Sequence, residues 1–245
     1  MTTLFRRLCL VTALLVAGAL LPLLAFGVYA WKRSVPGWAE KVVIAAFHIV
    51  YHHRQTFNDT HWLGTEVQKT PLDLWVYQEL IHELRPDLII ETGTYKGGSA
   101  LFMASICDLE NHGQVATVDI EEYPGLPQHS RIRYLRGSST SPGVIEQFKA
   151  LASGQRTVLV ALDSDHAKQH VLNELRLYSG LVTKGSYLIV EDTHFNGHPI
   201  LPHFGPGPRE AVEEFLKENR DFVADRGREK YLLTFNAGGY LRRVR

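Results

Sequence analysis

From residue 70 onward, short apolar runs alternate with longer stretches in which apolar residues recur at helical spacing. The short runs predict five strands, at Leu88–Glu91, Gln114–Asp119, Ile132–Leu135, Thr157–Leu162 and Ser186–Val190. The longer stretches predict helices at Ser99–Leu109, Pro142–Ala150, Lys168–Tyr178 and Arg209–Asn219. Alternation of this kind is typical of an α/β protein whose mostly parallel sheet carries helices on both faces.

Further secondary structure is predicted at both ends of this region. Thr70-Pro71-Leu72-Asp73 predicts a helix start, with Thr70 as N-cap, and the helix should run to about Leu84. Near the C-terminus, Tyr231–Asn236 and Gly239–Val244 flank Ala237-Gly238, which predicts an antiparallel hairpin. Upstream, Trp38 to Tyr51 reads as an amphipathic helix that either packs on the domain or lies against a bilayer.

The N-terminus contains a run of 23 residues without a charged side chain, from Leu8 to Ala30. About 20 apolar residues suffice to cross a hydrocarbon core, so the run predicts a transmembrane helix. A cleaved signal peptide is the alternative, although its apolar region is usually shorter. Basic pairs flank the run at both ends, and its orientation stays open. The predicted division is therefore 1–33 as anchor, 34–69 as helix and linker, and 70–245 as the α/β domain.

The distribution of charged residues along the chain limits the kinds of binding partner. The chain has 26 basic and 26 acidic residues, and four of the basic ones lie within the first 33 positions, where no acid occurs. The remainder is therefore acidic overall, which argues against nucleic-acid binding. Two cysteines, Cys9 and Cys107, do not make a disulfide framework. Assembly into a homo-oligomer is left open.

The segment Glu91–Ser99 leaves the first strand through glycines and opens a helix. Glycines permit a positive φ and a close backbone approach, and the helix N-terminus offers free N–H groups. The spacing differs from the G-x-G-x-x-G of dinucleotide sites, and an acid at the strand end suits a positively charged ligand. We therefore predict S-adenosylmethionine rather than NAD, although an ordinary strand-to-helix turn would look similar. The candidate contacts in this turn are Glu91, Gly93, Thr94, Lys96, Gly97 and Ser99.

Polar residues at the next two strand ends extend this cofactor site. Asp119 closes the second strand, where an acid typically binds ribose hydroxyls. Its alternative is a solvated acid. Ser138 and Ser139 follow the third strand and are candidates for contacts to adenine, or they cap the helix that begins at Pro142.

Carboxylates cluster at the ends of the fourth and fifth strands. Asp163 follows one strand, Glu191 and Asp192 follow the other, and adjacent parallel strands deliver them to one rim. Such acids repel each other unless a cation neutralises them, and oxygen ligands suit Mg²⁺. The alternative is that they cap neighbouring helices. We expect Asp163 to border the cofactor as well. His166, three residues further on, is the candidate general base.

Several motifs in this order resemble the cephalosporin hydroxylase / rhamnosyl O-methyltransferase family. They are Glu91-Thr92-Gly93 with Gly97-Gly98-Ser99, Leu162–His166, Gly185–Thr193, Asn196-Gly197-His198-Pro199 and Phe204–Pro208. The resemblance covers roughly Trp62 to the C-terminus. It implies a Rossmann-like class I methyltransferase fold, an S-adenosylmethionine site, and Mg²⁺ held by Asp163, Glu191 and Asp192. Catechol-type methyltransferases, which are similar in layout, place a basic group three residues after the first metal acid, and here that group is His166.

The preferred hypothesis is a membrane-anchored, Mg²⁺-dependent O-methyltransferase that acts on a sugar, a glycolipid or another polyhydroxylated small molecule. Because S-adenosylmethionine is made in the cytosol, the catalytic domain should face the cytoplasm. The loop Phe195–Pro208 is expected to form a lid, with His198 and His203 as acceptor contacts, or else a rigid connector. A hydroxylase component is one alternative function, although no His-x-Asp or His-x-Glu occurs. A non-catalytic membrane-tethered scaffold is the other.

Overall fold

The protein is described by a computed structural model over residues 36–245. Six α-helices lie in this range: α1 Gly37–His53, α2 Pro71–Leu84, α3 Gly98–Leu109, α4 Pro142–Ala152, α5 Lys168–Tyr178 and α6 Pro208–Glu218. Nine strands accompany them: β1 His61–Trp62, β2 Thr65–Glu66, β3 Leu88–Thr92, β4 Gln114–Asp119, β5 Ile132–Arg136, β6 Val158–Leu162, β7 Tyr187–Val190, β8 Phe222–Ala224 and β9 Tyr240–Arg243. Short 3₁₀ turns occupy Thr56–Asp59 and Arg226–Glu229.

Seven of the strands form one sheet in the order β5-β4-β3-β6-β7-β9-β8, and β1 pairs with β2 separately. The pairs from β5 to β7 are parallel, whereas β9 runs antiparallel to both β7 and β8. From β3 the chain first builds outward through β4 and β5, and then continues on the other side of β3 with β6. The boundary between β3 and β6 is therefore the switch point beyond which open α/β sheets bind ligands.

Apolar side chains fill the space on both faces of the sheet. Because successive residues of a strand point to opposite faces, Leu88 and Ile90 join one core while Ile89 joins the other. The first core is covered by α4, α5 and α6, and the second by α2 and α3. A strand buried on both faces reads as a continuous apolar run, which is why β3, β6 and β7 were predictable.

The predicted α/β architecture and its five parallel strands are confirmed, as are the helices. The hairpin prediction is wrong for its first arm, because Tyr231–Asn236 forms no strand. There, Phe235 donates its backbone N–H to the Asp73 carboxylate at 2.9 Å. This hydrogen bond holds the segment against the first turn of α2 instead of in the sheet. The antiparallel partners of β9 are instead β7 and β8.

The predicted anchor at 1–33 lies outside the described residues. No helix between residues 36 and 245 has both the length and the hydropathy needed to cross a bilayer. The amphipathic helix predicted at Trp38–Tyr51 is present as α1.

Candidate active site

A cavity of about 580 Å³ opens beyond the carboxyl ends of the central strands. Its walls come from the loops after β3, β4, β5, β6 and β7, at the switch point of the sheet, and from the segment Glu66–Lys69. Most of the predicted site residues line it: Gly93, Thr94, Ser99, Asp119, Ser138, Ser139, Asp163, His166 and Asp192. Four others, Glu91, Lys96, Gly97 and Glu191, lie outside the lining.

The glycine turn after β3 is fixed by its neighbour across the switch point. Gly93 has a φ of +85°, and a Cβ there would lie 1.8 Å from the carbonyl oxygen of Asp163. Any side chain would therefore clash with the loop after β6, and the positive φ would add strain. Glycine at this position lets the two loops meet and leaves the backbone open to a ligand.

Glu91 lies beneath this turn and is fully buried. Its carboxylate accepts hydrogen bonds from Ser99 Oγ at 2.5 Å and from Thr117 Oγ1 at 2.8 Å. Burial raises the pKa of Glu91 to about 7, against the opposing effects of Lys69 and these two hydroxyls. Glu91 therefore holds the start of α3 in place from inside the fold.

Lys96, also predicted to contact the cofactor, forms an ion pair with Glu66 on β2. Its side chain is about half exposed, at 47%. This pairing ties the glycine turn to the small β1–β2 sheet.

The loops after β4 and β5 present oriented polar groups to the cavity. Asp119 accepts the backbone N–H groups of Tyr95 and Glu121, at 2.9 and 3.0 Å. Because each carboxylate oxygen receives one of these bonds, lone pairs remain for a ligand. Ser139 Oγ lies 3.1 Å from Nε2 of His170 on α5. The residue at the N-cap of α4 is Ser141, so Ser139 does not cap that helix.

The structure brings Asp163, His166 and Asp192 together on the cavity wall. One potential ligand atom from each lies within 4.8 Å of the others, and His166 Nε2 is 3.3 Å from Asp192 Oδ2. All three side chains are about one-fifth to one-quarter exposed. An ion entering from the cavity can therefore reach them.

Glu191, the third predicted metal ligand, points into the protein. Its carboxylate accepts a hydrogen bond from the buried Tyr77 hydroxyl and lies 3.1 Å from Lys69 Nζ. The same ammonium donates to Asp163 Oδ2 at 2.6 Å. Lys69 thus bridges the two carboxylates, and its side chain is only 4% exposed.

Three carboxyl groups, those of Asp163, Glu191 and Asp192, surround the single ammonium of Lys69, and two of them have raised pKa values. Burial raises the pKa of Asp192 to about 7; Asp163 and Glu191 add to the rise while His166 opposes it. Burial also raises the pKa of Glu191, despite the opposing charge of Lys69. Burial opposes the charge on Lys69, yet Asp163 and Glu191 raise the pKa of this ammonium. These raised pKa values mean that burial and crowding disfavour the charged carboxylates, and a further cation bound among them would stabilise the charged forms.

The loop after β7 supports this wall with aromatic rings. His166 packs edge-on against Phe195, with ring centroids 5.1 Å apart. His194 stacks on Phe235 at 4.2 Å, and burial lowers its pKa to about 2, so it is a neutral packing group. His198, predicted to contact the acceptor, lies 2.9 Å from Glu210 at the start of α6. His203 is exposed on the same loop.

Sequence reasoning missed Lys69, Tyr77 and His170. Lys69 precedes the N-cap of α2 by one position, where a lysine usually extends into solvent. Tyr77 lies within an amphipathic helix and reads as core. No spacing links either residue to β6 or β7, so the sequence carried no signal for these contacts.

The family model for Rhamnosyl O-methyltransferase/CmcI matches residues 54–244. The chain belongs to the Rhamnosyl O-methyltransferase/CmcI family. This confirms the resemblance seen in the motifs, and it makes the chain an S-adenosylmethionine-dependent O-methyltransferase by class.

Curated relatives in this family are similar over most of their length. A rhamnosyl O-methyltransferase from Mycobacterium leprae is 40% identical over 203 residues, covering 80% of this chain and 88% of the relative. One from Mycobacterium tuberculosis is 39% identical over 208 residues, covering 81% and 84%.

Solved structures agree on the fold. An apo structure of CmcI matches with a TM-score of 0.60 and 24% identity, over 77% of each chain. A CmcI structure with Mg and SAM matches with a TM-score of 0.59 and 23% identity, over 77% of this chain and 78% of CmcI. At this identity the likeness establishes the methyltransferase fold alone.

Proposed function

We propose that the protein is an S-adenosylmethionine- and Mg²⁺-dependent O-methyltransferase acting on a hydroxyl of a sugar, a glycolipid or another polyhydroxylated small molecule. The observation that carries the proposal is the meeting of Asp163, His166 and Asp192 on the wall of the cavity. Membership in the family supports the reaction, and relatives named rhamnosyl O-methyltransferase support a sugar acceptor.

The cavity suits the methyl donor. Its volume of about 580 Å³ falls within the range of small-molecule sites, roughly 300–1,000 Å³. The turn at Gly93 leaves no side chain between the backbone and a ligand. Asp119, held by two backbone N–H groups, is placed to accept hydrogen bonds from ribose hydroxyls.

The residues also fit a hard divalent ion. Asp163 and Asp192 would hold it, because their carboxylates border the cavity and offer oxygen ligands within 4.8 Å of one another. Glu191 is the third candidate by sequence, although its carboxylate is engaged by Lys69 and Tyr77. An iron site of the oxygenase type uses two histidines and one carboxylate. The group here offers a single histidine, which favours methyl transfer over the hydroxylase alternative.

The donor, when bound, would supply a methyl group from its sulfonium and leave as the neutral thioether, and the ion would supply positive charge for the acceptor oxygen. His166 takes up the proton of the acceptor hydroxyl on its imidazole. Asp192, 3.3 Å from Nε2, stabilises the imidazolium that forms. The cavity wall would position the acceptor against the methyl donor, and such positioning contributes much of the rate in a one-step displacement.

Isothermal titration of the full chain with S-adenosylmethionine, with and without Mg²⁺, tests the proposal. We expect saturable donor binding, and Mg²⁺ binding that Asp163→Asn abolishes while donor binding persists. Asp59→Asn is the matched control, since the Asp59 side chain is 92% exposed. The proposal fails if the folded protein binds no donor, or if both variants respond to Mg²⁺ alike.

Several narrower hypotheses accompany this function. They are the anchor at 1–33, the division at 34–69 and 70–245, cytoplasmic placement and self-assembly. Mass spectrometry of lipid and glycan extracts, before and after deletion of the protein, would identify the acceptor by the loss of a methyl group.

A further inference from the structure

The exposed face of α1 is apolar. Five of its large side chains are more than half exposed: Trp38 at 71%, Val42 at 59%, Val43 at 57%, Ile49 at 54% and Val50 at 54%. At 3.6 residues per turn these positions fall within an arc of about 140°. Glu40 and Lys41 project outside that arc, whereas the exposed His53, the last residue of the helix, lies within it. Single exposed apolar residues are ordinary, whereas a continuous apolar face marks a binding surface.

The opposite side of the helix already has its partners. His48 is 2% exposed and lies with its ring 5.2 Å from His194 and 5.7 Å from Phe235. Tyr51 packs edge-on against Phe235 at 5.6 Å. The second half of α1 is therefore held on the catalytic domain by this side. The apolar face of the helix takes no part in this packing and stays exposed.

The sequence just before α1 indicates what covers that face. The uncharged run Leu8–Ala30 ends only six residues before Gly37, and six residues span at most roughly 20 Å. Lys32 and Arg33 lie in this linker, where basic side chains favour anionic headgroups. Trp38 follows, and tryptophan favours the membrane–water interface.

We propose that the apolar face of α1, formed by Trp38, Val42, Val43, Ile49 and Val50, lies in the headgroup–acyl boundary of a lipid bilayer. In this position α1 is an interfacial helix with its apolar side chains among the lipids. His48 and Tyr51 keep the second half of the helix on the catalytic domain. The proposal concerns attachment and does not rest on methyl transfer.

Nitroxide labels on the full chain in lipid nanodiscs test this placement. Cys9→Ser removes one native thiol, and the buried Cys107, whose pKa burial raises to about 11, stays unlabelled. Labels are attached after Val42→Cys, after Ile49→Cys and, as matched control, after Lys41→Cys. Lys41 is exposed on the same helix but points about 100° away from Val42.

We expect labels at positions 42 and 49 to collide more with oxygen, which concentrates in lipid, than with a water-soluble nickel chelate. The control label should show the reverse ratio. Equal access of the chelate to all three labels would overturn the proposal. So would protection of positions 42 and 49 from both reagents, or dipolar broadening between labels, because protein rather than lipid would then cover the face.

Discussion

Lys69 offers the sharpest test of how the site is held together before any ion binds. The variant Lys69→Met keeps most of the side-chain volume and removes the charge. It leaves Asp163 and the buried Glu191 without the ammonium that lies 2.6 and 3.1 Å away. Breaking a buried ion pair by removing one partner typically costs about 3–5 kcal/mol. We expect the free energy of unfolding of the metal-free protein to fall by that amount.

For a chain of this size, 1 kcal/mol corresponds to a change in Tm of about 2–4 °C. The predicted loss is therefore roughly 6–20 °C, measurable by scanning calorimetry in the presence of a chelator. Mg²⁺ should restore more stability in Lys69→Met than in the wild type, because the ion would replace the lost charge. A ligand at 100 times its Kd stabilises a protein by about 2.7 kcal/mol.

Lys96→Met is the control, since Lys96 pairs with Glu66 while its side chain is 47% exposed. Solvent screens such a pair, and little change is expected. If Lys69→Met melts like the wild type and gains nothing extra from Mg²⁺, the ammonium does not compensate these carboxylates and the electrostatic account of the site is wrong.

Single substitutions at Glu91, Gly93 and His166 test the other parts of the site. Because the folded-state pKa of Glu91 is raised from 4.5 to about 7, the metal-free protein should lose stability as pH rises across that window, and Glu91→Gln should flatten the slope of Tm against pH. An unchanged slope would contradict the burial argument. Gly93→Ala should cost at least on the order of 1–3 kcal/mol in urea unfolding, since its Cβ would meet the carbonyl of Asp163 at 1.8 Å; wild-type stability would show that the turn can shift. His166→Ala should lower the methyl-transfer rate by about 10²–10⁴-fold with donor binding intact by titration, and an unaffected rate would remove His166 as the base.

Site residues could be predicted from the sequence where the local pattern and the topology of the sheet point to the same place. Asp163 directly follows one apolar run and Asp192 lies two residues after another, and the parallel arrangement of β6 and β7 brings such residues to one edge. Glu191 comes immediately before Asp192 and after the last residue of β7, and Asp192 has a φ of +57°, so the backbone turns between the two side chains. The meeting of Asp163 and Asp192 was therefore predictable, whereas the inward direction of Glu191 required its partners, Tyr77 and Lys69, to be seen.

The failed hairpin shows the limit of local reasoning. Ala237-Gly238 does form a turn, yet the segment before it is held by Asp73, which is fully buried on α2. Asp73 accepts hydrogen bonds from the hydroxyls of Thr234 and Tyr240 and from the N–H of Phe235. A buried carboxylate must find donors, and the 231–236 segment supplies them instead of extending the sheet.

The position of β9 inside the sheet has a consequence for incomplete chains. Tyr240–Arg243 separates β7 from β8 and pairs Tyr240 with Ile189, two residues before Glu191. A polypeptide that stopped before Tyr240 would leave one side of β7 bare, with unpaired N–H and C=O groups next to the acidic cluster. Bare edges of this kind recruit other strands. Premature termination or proteolytic trimming there should yield aggregates, not a smaller working enzyme.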